Sequence, residues 1–381
     1  MTHSSTNKNK NSSEIVLESF DGNTDEVEIL DKHLQVAITG CSMTSPHKEN
    51  KTWATILQNL FGGKLIFRLD TDKNKNTDLS YLYHTAVVNA KVAGGNYFIT
   101  KAMKETLITL KNKKWDYQPP GAKPKDGIDR LAIMQLSGLN RYDIKMDGVW
   151  VTSPSTTRYF TNVWRPLMEI GEKLYKVFQL RTFNSKEEQE KMKKQAEYDK
   201  RNKIERDLTD KAMKHFGEYF EKEYSTEKHL KDLLENIIDI QNYCNEEKIA
   251  HRFFLGWDIL TNSELEVWRG DDSVESIEKH ELKRDMFSFN NKYKNRDNGW
   301  IIHNYPHLYD LWNKVDWSKF WFFQNEHVEL GGLNEWIKYN IPKEDWYLAE
   351  GDAHPSEKSQ QLFLKNVIVP MIQEMVEEKL Q

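Results

Sequence analysis

Cysteine is scarce in this chain: 381 residues hold two, Cys41 and Cys244. Two thiols exclude a disulfide framework and argue against a cysteine-rich zinc site. Such usage suits a reducing compartment. No apolar run approaches the roughly 20 residues that cross a bilayer. The opening "MTHSSTNKNKNSSE" lacks the apolar core of a signal peptide. With neither leader nor span, a cytoplasmic or virion-associated setting is expected. No basic stripe is present and the net charge is −5, so nucleic-acid binding has no electrostatic support. Internal repeats are absent as well.

Enough apolar and aromatic material remains to build a core. Hydrophobic residues make up 38% and aromatic residues 12%, including 12 Trp, which excludes a disordered chain. The length allows one large domain or two smaller ones. Residues 1–28 are Ser-, Asn- and Lys-rich and read as a flexible polar arm. From there "LQVAITGCSMTSP" changes character: Leu34, Val36, Ala37 and Ile38 form a short apolar strand that Gly40 ends. In "NKTWATILQNLFGG" the residues Trp53, Ile56, Leu57 and Leu60 recur at helical spacing, with Gly62-Gly63 as a stop.

"TAVVNAKVAGGNYFITKAMKETLITLK" reads as strand, glycine turn and helix. "GIDRLAIMQLSGLNRYDI" holds a third strand, Leu131 to Leu136, with a polar tip at Ser137 to Arg141. An amphipathic helix follows over "TEKHLKDLLENIIDIQNYCNEE", with Leu230, Leu233, Leu234, Ile237 and Ile238 on one face. "KIAHRFFLGWDIL" gives a fourth strand, and the chain closes with a helix that buries Leu362, Leu364, Val367, Ile368, Met371 and Ile372. Strand, turn and helix thus alternate. That order predicts an α/β fold with three α/β/α layers around a central parallel sheet. The domain is expected over 29–381. A charged helical insertion is expected at about 185–225 and an aromatic-rich one at about 260–340.

In such sheets, sites form where strand C-terminal ends turn into helices. Four polar turns fall there: "GCSMT", "AGGN", "SGLN" and "GDAHPS". Ser42 follows the first strand. A serine hydroxyl is a weak nucleophile until a base takes its proton. His354 is the candidate base, and Asp352, two residues earlier, the group that orients it. The developing oxyanion would be held by the Ser42 N–H, the Gly94 N–H and the Asn140 side-chain amide.

Each residue also has a plainer use. Ser42 could cap the next helix, Asn140 its own turn, and Gly94 and Gly95 could serve strand-to-helix packing. Asp352 could be a turn former and His354 a surface residue. Cys41 is a rival nucleophile, although neighbours 41 and 42 cannot both face one base. "HNYPH" offers His303 and His307 as metal-type ligands, but Pro306 breaks a helical pair. The aromatics from Trp317 to Phe323 read as packing, with a sugar-stacking surface as the functional option.

These blocks, in this order, resemble the SGNH (GDSL-like) hydrolases. "ITGCSMTSP" is similar to the serine block, with "TWATIL" where that family often carries a Trp-bearing helix. "VVNAKVAGG" resembles the glycine block and favours Gly94 over Gly95. "SGLNR" resembles the asparagine block and "GDAHPS" the Asp/His block. The resemblance spans about 34–140, 226–259 and the last 40 or so residues. Two positions depart from it: Cys41 and Arg141 stand where acids are usual.

What the resemblance implies is a flavodoxin-like sheet and a serine esterase acting through an acyl-enzyme. Ser42, Asp352 and His354 would be catalytic, and Ser42, Gly94 and Asn140 would form the oxyanion hole, with no metal and no cofactor. Its substrates would be small esters or acylated carbohydrates, and the polar inserts and Trp-rich stretch favour carbohydrate O-deacetylation. The alternative is a non-catalytic or weakly active module of a larger viral or surface assembly. Its partner would then be held by the charged helix or the N-terminal arm.

Overall fold

The computed structural model describes residues 28–45, 51–61, 67–72, 75–91, 94–112, 127–139, 141–146, 148–153, 212, 215, 216, 219, 223–261, 300–325, 328–348 and 354–380. The expected arm, residues 1–28, lies outside them except for Glu28, as does nearly all of the charged stretch at 185–225.

β1 (Glu28–Thr39) pairs in parallel with β3 (Lys75–Val88) on one side and β4 (Ile128–Leu136) on the other. β4 pairs in parallel with β7 (Ala250–Leu255), and β7 with β8 (Phe320–Trp321). An antiparallel strand, β2 (Phe67–Asp72), edges β3. The sheet order is therefore β2-β3-β1-β4-β7-β8. Numbered among themselves in chain order, the five parallel strands lie 2-1-3-4-5. That is a doubly wound arrangement whose switch point falls between β1 and β4.

These strands are apolar on both faces because both faces are covered. Leu34, Val36, Ile38, Leu131, Ile133 and Phe254 point one way. Ala37, Ala132, Met134, Leu136, Phe253 and Leu255 point the other, the alternation that a pleated strand imposes. Four helices cover the first face: α1 (Trp53–Leu60), α4 (Leu333–Asn340), α5 (Glu357–Phe363) and α6 (Val369–Leu380). α2 (Asn96–Asn112) and α3 (Thr226–Glu246) cover the second.

Local chemistry sets these helix ends. Thr52 caps α1 by accepting from Thr55 N–H, and Ser225 caps α3 by accepting from Lys228 N–H. Pro370 lacks the N–H that an α-helix needs. The chain absorbs the defect in a π turn, Leu364–Ile368, between α5 and α6. Cys244 is wholly buried on α3, and burial pushes its thiol up to about 12, so it packs as a small apolar side chain.

Two regions differ from expectation. Residues 300–340, read from the sequence as part of an insertion, are built into the core. Phe320 stacks on Phe253 with centroids 4.7 Å apart, and Trp336 and Ile337 seal the first face. The second is a hairpin, β5 (Tyr142–Met146) with β6 (Val149–Ser153), which follows the β4 tip. Ala212 and Phe216 are buried against it.

Burial lowers both His33 and His84 to about 4, with mutual repulsion adding to the effect on His33. A lowered histidine is neutral in the fold and takes up a proton on unfolding. Its contribution is therefore complete above pH 6.5 and lost as pH falls toward 4. A His33→Gln/His84→Gln variant should lose less stability than the wild type between pH 7 and pH 5, by about 1–2 kcal/mol per histidine. Chemical denaturation at both pH values measures the difference, and identical slopes would contradict it.

Candidate functional site

After β1 the chain folds into a tight turn in which Thr44 N–H and Ser45 N–H both donate to Cys41 O, at 3.0 and 2.8 Å. Cys41 turns inward and is fully buried. Its sulfur lies 3.3 Å from Gln135 Nε2. Burial of Cys41 removes the rival nucleophile from the rim. Ser42 is half-buried, and nothing among the described residues bonds its hydroxyl. Nor does Ser42 cap the following helix; Thr52 does. Thr44 is held by Gln135 Oε1 at 2.7 Å and by Trp53 Nε1–H at 3.2 Å. The Trp-bearing helix therefore anchors the serine turn directly.

The β3 tip docks beside it. Asn89 N–H donates to Ile38 O (2.8 Å) and Lys91 N–H to Gly40 O (3.1 Å). Gly94, expected to offer its N–H to an oxyanion, donates it to Lys91 O at 2.9 Å. A Cβ at Gly94 would stand 2.8 Å from the Phe98 ring, so close packing already requires glycine there. Gly95 N–H is taken by Asp143 Oδ1 at 3.0 Å, while Asp143 Oδ2 accepts from Phe98 N–H at 2.9 Å. This buried carboxylate, also bonded by Thr152 Oγ1 at 2.5 Å, caps α2 from the β5–β6 hairpin.

The β4 tip joins the same rim. Ser137 and Asn96 exchange two hydrogen bonds, Ser137 N–H to Asn96 Oδ1 and Asn96 Nδ2–H to Ser137 O, both 2.7 Å. Leu139 O receives the Nδ1–H of His229, whose Nε2 then accepts from Tyr219 Oη at 2.7 Å. Burial lowers the His229 pKa, so the ring is neutral, and the carbonyl partner fixes this tautomer. Asn140 itself lies outside the described residues. Arg141 donates from Nη1 to Gly94 O at 3.1 Å and lies over the Trp257 ring, 5.4 Å from its centroid.

The C-terminal turn leads into α5. Asp352 lies outside the described residues, and His354 is half-buried with its carbonyl accepting from Leu348 N–H at 3.1 Å. Ser356 caps α5 through Ser359 N–H. Four residues on, the buried Gln360 accepts from Trp53 N–H at 3.1 Å and donates to Met43 O at 3.2 Å. Met43 is the residue after Ser42. The six steps from His354 to Gln360 span about 15 Å at most, and Gln360 fastens the helix that follows His354 to the serine turn. Direct hydrogen bonds thus link the Ser42 turn, the Gly94 turn and Arg141, and Gln360 ties in α5, the helix that follows His354.

His303 bonds Tyr309 Oη at 2.6 Å, whereas His307 pairs with Glu227 at 2.8 Å. Among the described residues no group of three His, Cys, Asp or Glu could hold a metal. One feature of the rim escaped sequence reasoning. Glu335, on α4, accepts from Gly332 N–H at 2.8 Å, the reverse half of a capping box that the Gly332-x-x-Glu335 spacing could have signalled. Burial and the neighbouring Asp258 raise its carboxyl to about 7.

A raised carboxyl contributes stability that is complete below its unfolded pKa of 4.5 and lost as pH rises through about 7. This sign is opposite to that of His33 and His84. Glu335→Gln should therefore remove a loss on the order of 2 kcal/mol between pH 5 and pH 8, measured by denaturant titration at each pH. A variant as alkali-sensitive as the wild type would show that Glu335 is ionised throughout.

A scan against protein-family models, a search of curated proteins and a search of solved structures find no match to this chain.

Proposed function

We propose that the chain is a serine esterase of the SGNH type, with Ser42 as nucleophile, His354 as general base and Asp352 as the group orienting it. The observation that carries this is the Gln360 clasp: Met43 O and Trp53 N–H both bond its amide. It binds the segment that follows His354 to the turn that contains Ser42, at the switch point of a doubly wound sheet. Supporting it, Ser42 is half-buried with no hydrogen-bond partner among the described residues, and its role as a helix cap is taken by Thr52.

In this chemistry the hydroxyl proton passes to the imidazole as Oγ attacks the ester carbonyl. The same proton then goes to the departing alcohol, and water repeats the sequence on the acyl-enzyme. The donors available to the oxyanion are the Ser42 N–H and the Asn140 amide, because Gly94 N–H is bonded to Lys91 O. Acetylated carbohydrates are the proposed substrate class. Tyr97, exposed at 45%, lies edge-on to Trp150 at this rim and offers an apolar ring face to a sugar.

One observation favours the second reading, a non-catalytic module. Both glycine N–H groups of the β3 tip are already bonded, one by Lys91 O and one by Asp143. Losing one oxyanion donor costs about 10²–10³ in rate, so a weakly active or inert site on this scaffold is its natural consequence.

Hydrolysis of 4-nitrophenyl acetate and labelling by a fluorophosphonate distinguish the two. Ser42→Ala should abolish both, and His354→Ala should reduce turnover by at least about 10³, each with unchanged circular dichroism. Turnover retained in both variants, or no label on the wild-type chain, would overturn the esterase assignment.

A further inference from the structure

Arg141 is the one guanidinium at this rim among the described residues, and its setting is unusual for a structural arginine. The group is half-buried. A guanidinium removed from water needs compensation, most often from a carboxylate. Its described partners are uncharged: the Gly94 carbonyl at 3.1 Å and the Trp257 ring at 5.4 Å. Of its five N–H donors, the Gly94 bond uses one. No carboxylate among the described residues pairs with it. The nearest acid on its own hairpin, Asp143, is committed to Gly95 N–H, Phe98 N–H and Thr152 Oγ1.

The position of Arg141 is as telling as its partners. Gly94 N–H bonds Lys91 O, and Lys91 N–H bonds Gly40 O. A short hydrogen-bonded path therefore links the guanidinium to the turn that carries Ser42. The Trp257 ring, in the turn after β7, lies within cation–π distance of the guanidinium, a group whose planar fork can take an oxyanion in two parallel bonds.

We propose that Arg141 binds an anionic substituent of the ester substrate, a carboxylate or phosphate carried by the acylated sugar or small alcohol. The assignment rests on the esterase function proposed for Ser42 in placing the anion on a substrate. The anion site itself stands on the geometry of Arg141, Gly94 and Trp257. A neutral ester would leave the guanidinium uncompensated, whereas an anionic one completes it, so selectivity arises from the partner left unpaired as much as from the bond formed.

The test uses the full chain and compares wild type with Arg141→Gln and Arg141→Lys. Turnover is measured on an O-acetylated methyl glucuronoside, on its neutral methyl ester and on an O-acetylated glucose 6-phosphate. Arg141→Gln should lower kcat/KM on one or both anionic esters by about 10- to 100-fold more than on the neutral ester. The two anionic arms identify the preferred oxyanion. Arg141→Lys keeps the charge without the fork and should fall between, which guards against a glutamine variant that folds poorly.

Binding of deacetylated methyl glucuronoside and of inorganic phosphate, followed by calorimetry, needs no turnover. Wild-type binding that Arg141→Gln abolishes supports the anion site even if Ser42 proves inert to fluorophosphonate. Equal losses on neutral and anionic esters, or anion binding unchanged in Arg141→Gln, or no anion binding by the wild type, would overturn it.

Discussion

The side chain of Gln135 is the tie on which the upper rim depends. It is fully buried at the end of β4, accepts from Thr44 Oγ1 at 2.7 Å and approaches Cys41 Sγ to 3.3 Å. On its other side a Cβ at Gly256 would stand 2.5 Å from Nε2. The turn after β7 can pass only because it has none. One amide thus fixes where the turns after β1 and β7 begin relative to β4. A buried amide is worth little when satisfied and costs about 1–3 kcal/mol when stranded, so the sheet ends hold the arrangement by the penalty for leaving it. Gly40 obeys the same geometry, since a Cβ there would meet Thr44 Oγ1 at 2.5 Å.

Outward from this tie, each turn is secured by a different polar group. Asn96 and Ser137 lock the tips of β3 and β4 through two reciprocal bonds. Asp143 binds the start of α2 to the β5–β6 hairpin. His229, neutral and buried, holds Leu139 O from α3, and Gln360 holds Met43 O from α5. Helices from both faces of the sheet therefore reach over its edge. Functional groups on separate turns stay in register only when those turns are held this way.

The extent to which this could be read in advance follows the range of the interactions. β1, β4 and β7 are evident because both faces are buried and their sequences run nearly unbroken in Val, Ile, Leu, Met and Phe. α3 is evident from Leu230, Leu233, Leu234 and Ile237. β8 was not foreseen. Two residues, Phe320 and Trp321, carry no periodicity, and they are a strand only because β7 supplies the partner. The same applies to Gln135 and Asp143, ordinary residues in sequence whose partners lie 94, 91, 48 and 45 positions away. At the site, the serine turn was recognisable because a strand, a glycine and a helix bracket it. That the Gly94 N–H is already bonded was not, since Lys91 O reaches it through a loop conformation that no local pattern announces. Asn140 and Asp352 lie outside the described residues, so their expected roles rest on sequence alone.

The two departures from the resembled pattern fit one electrostatic scheme. A carboxylate in place of Cys41 would be buried beside Gln135 Oε1, an acceptor already engaged by Thr44, with a neutral amide N–H, that of Gln135, too little to offset its desolvation. A thiol suits that place because it is small and neutral. At the other departure, Arg141 brings a positive charge where the resembled pattern has an acid. Near the Trp257 turn, burial and the neighbouring Asp258 keep Glu335 largely protonated below about pH 7. Both departures replace an acid at the rim, Cys41 with a neutral group and Arg141 with a positive one, which is the direction the proposed anionic substrate requires.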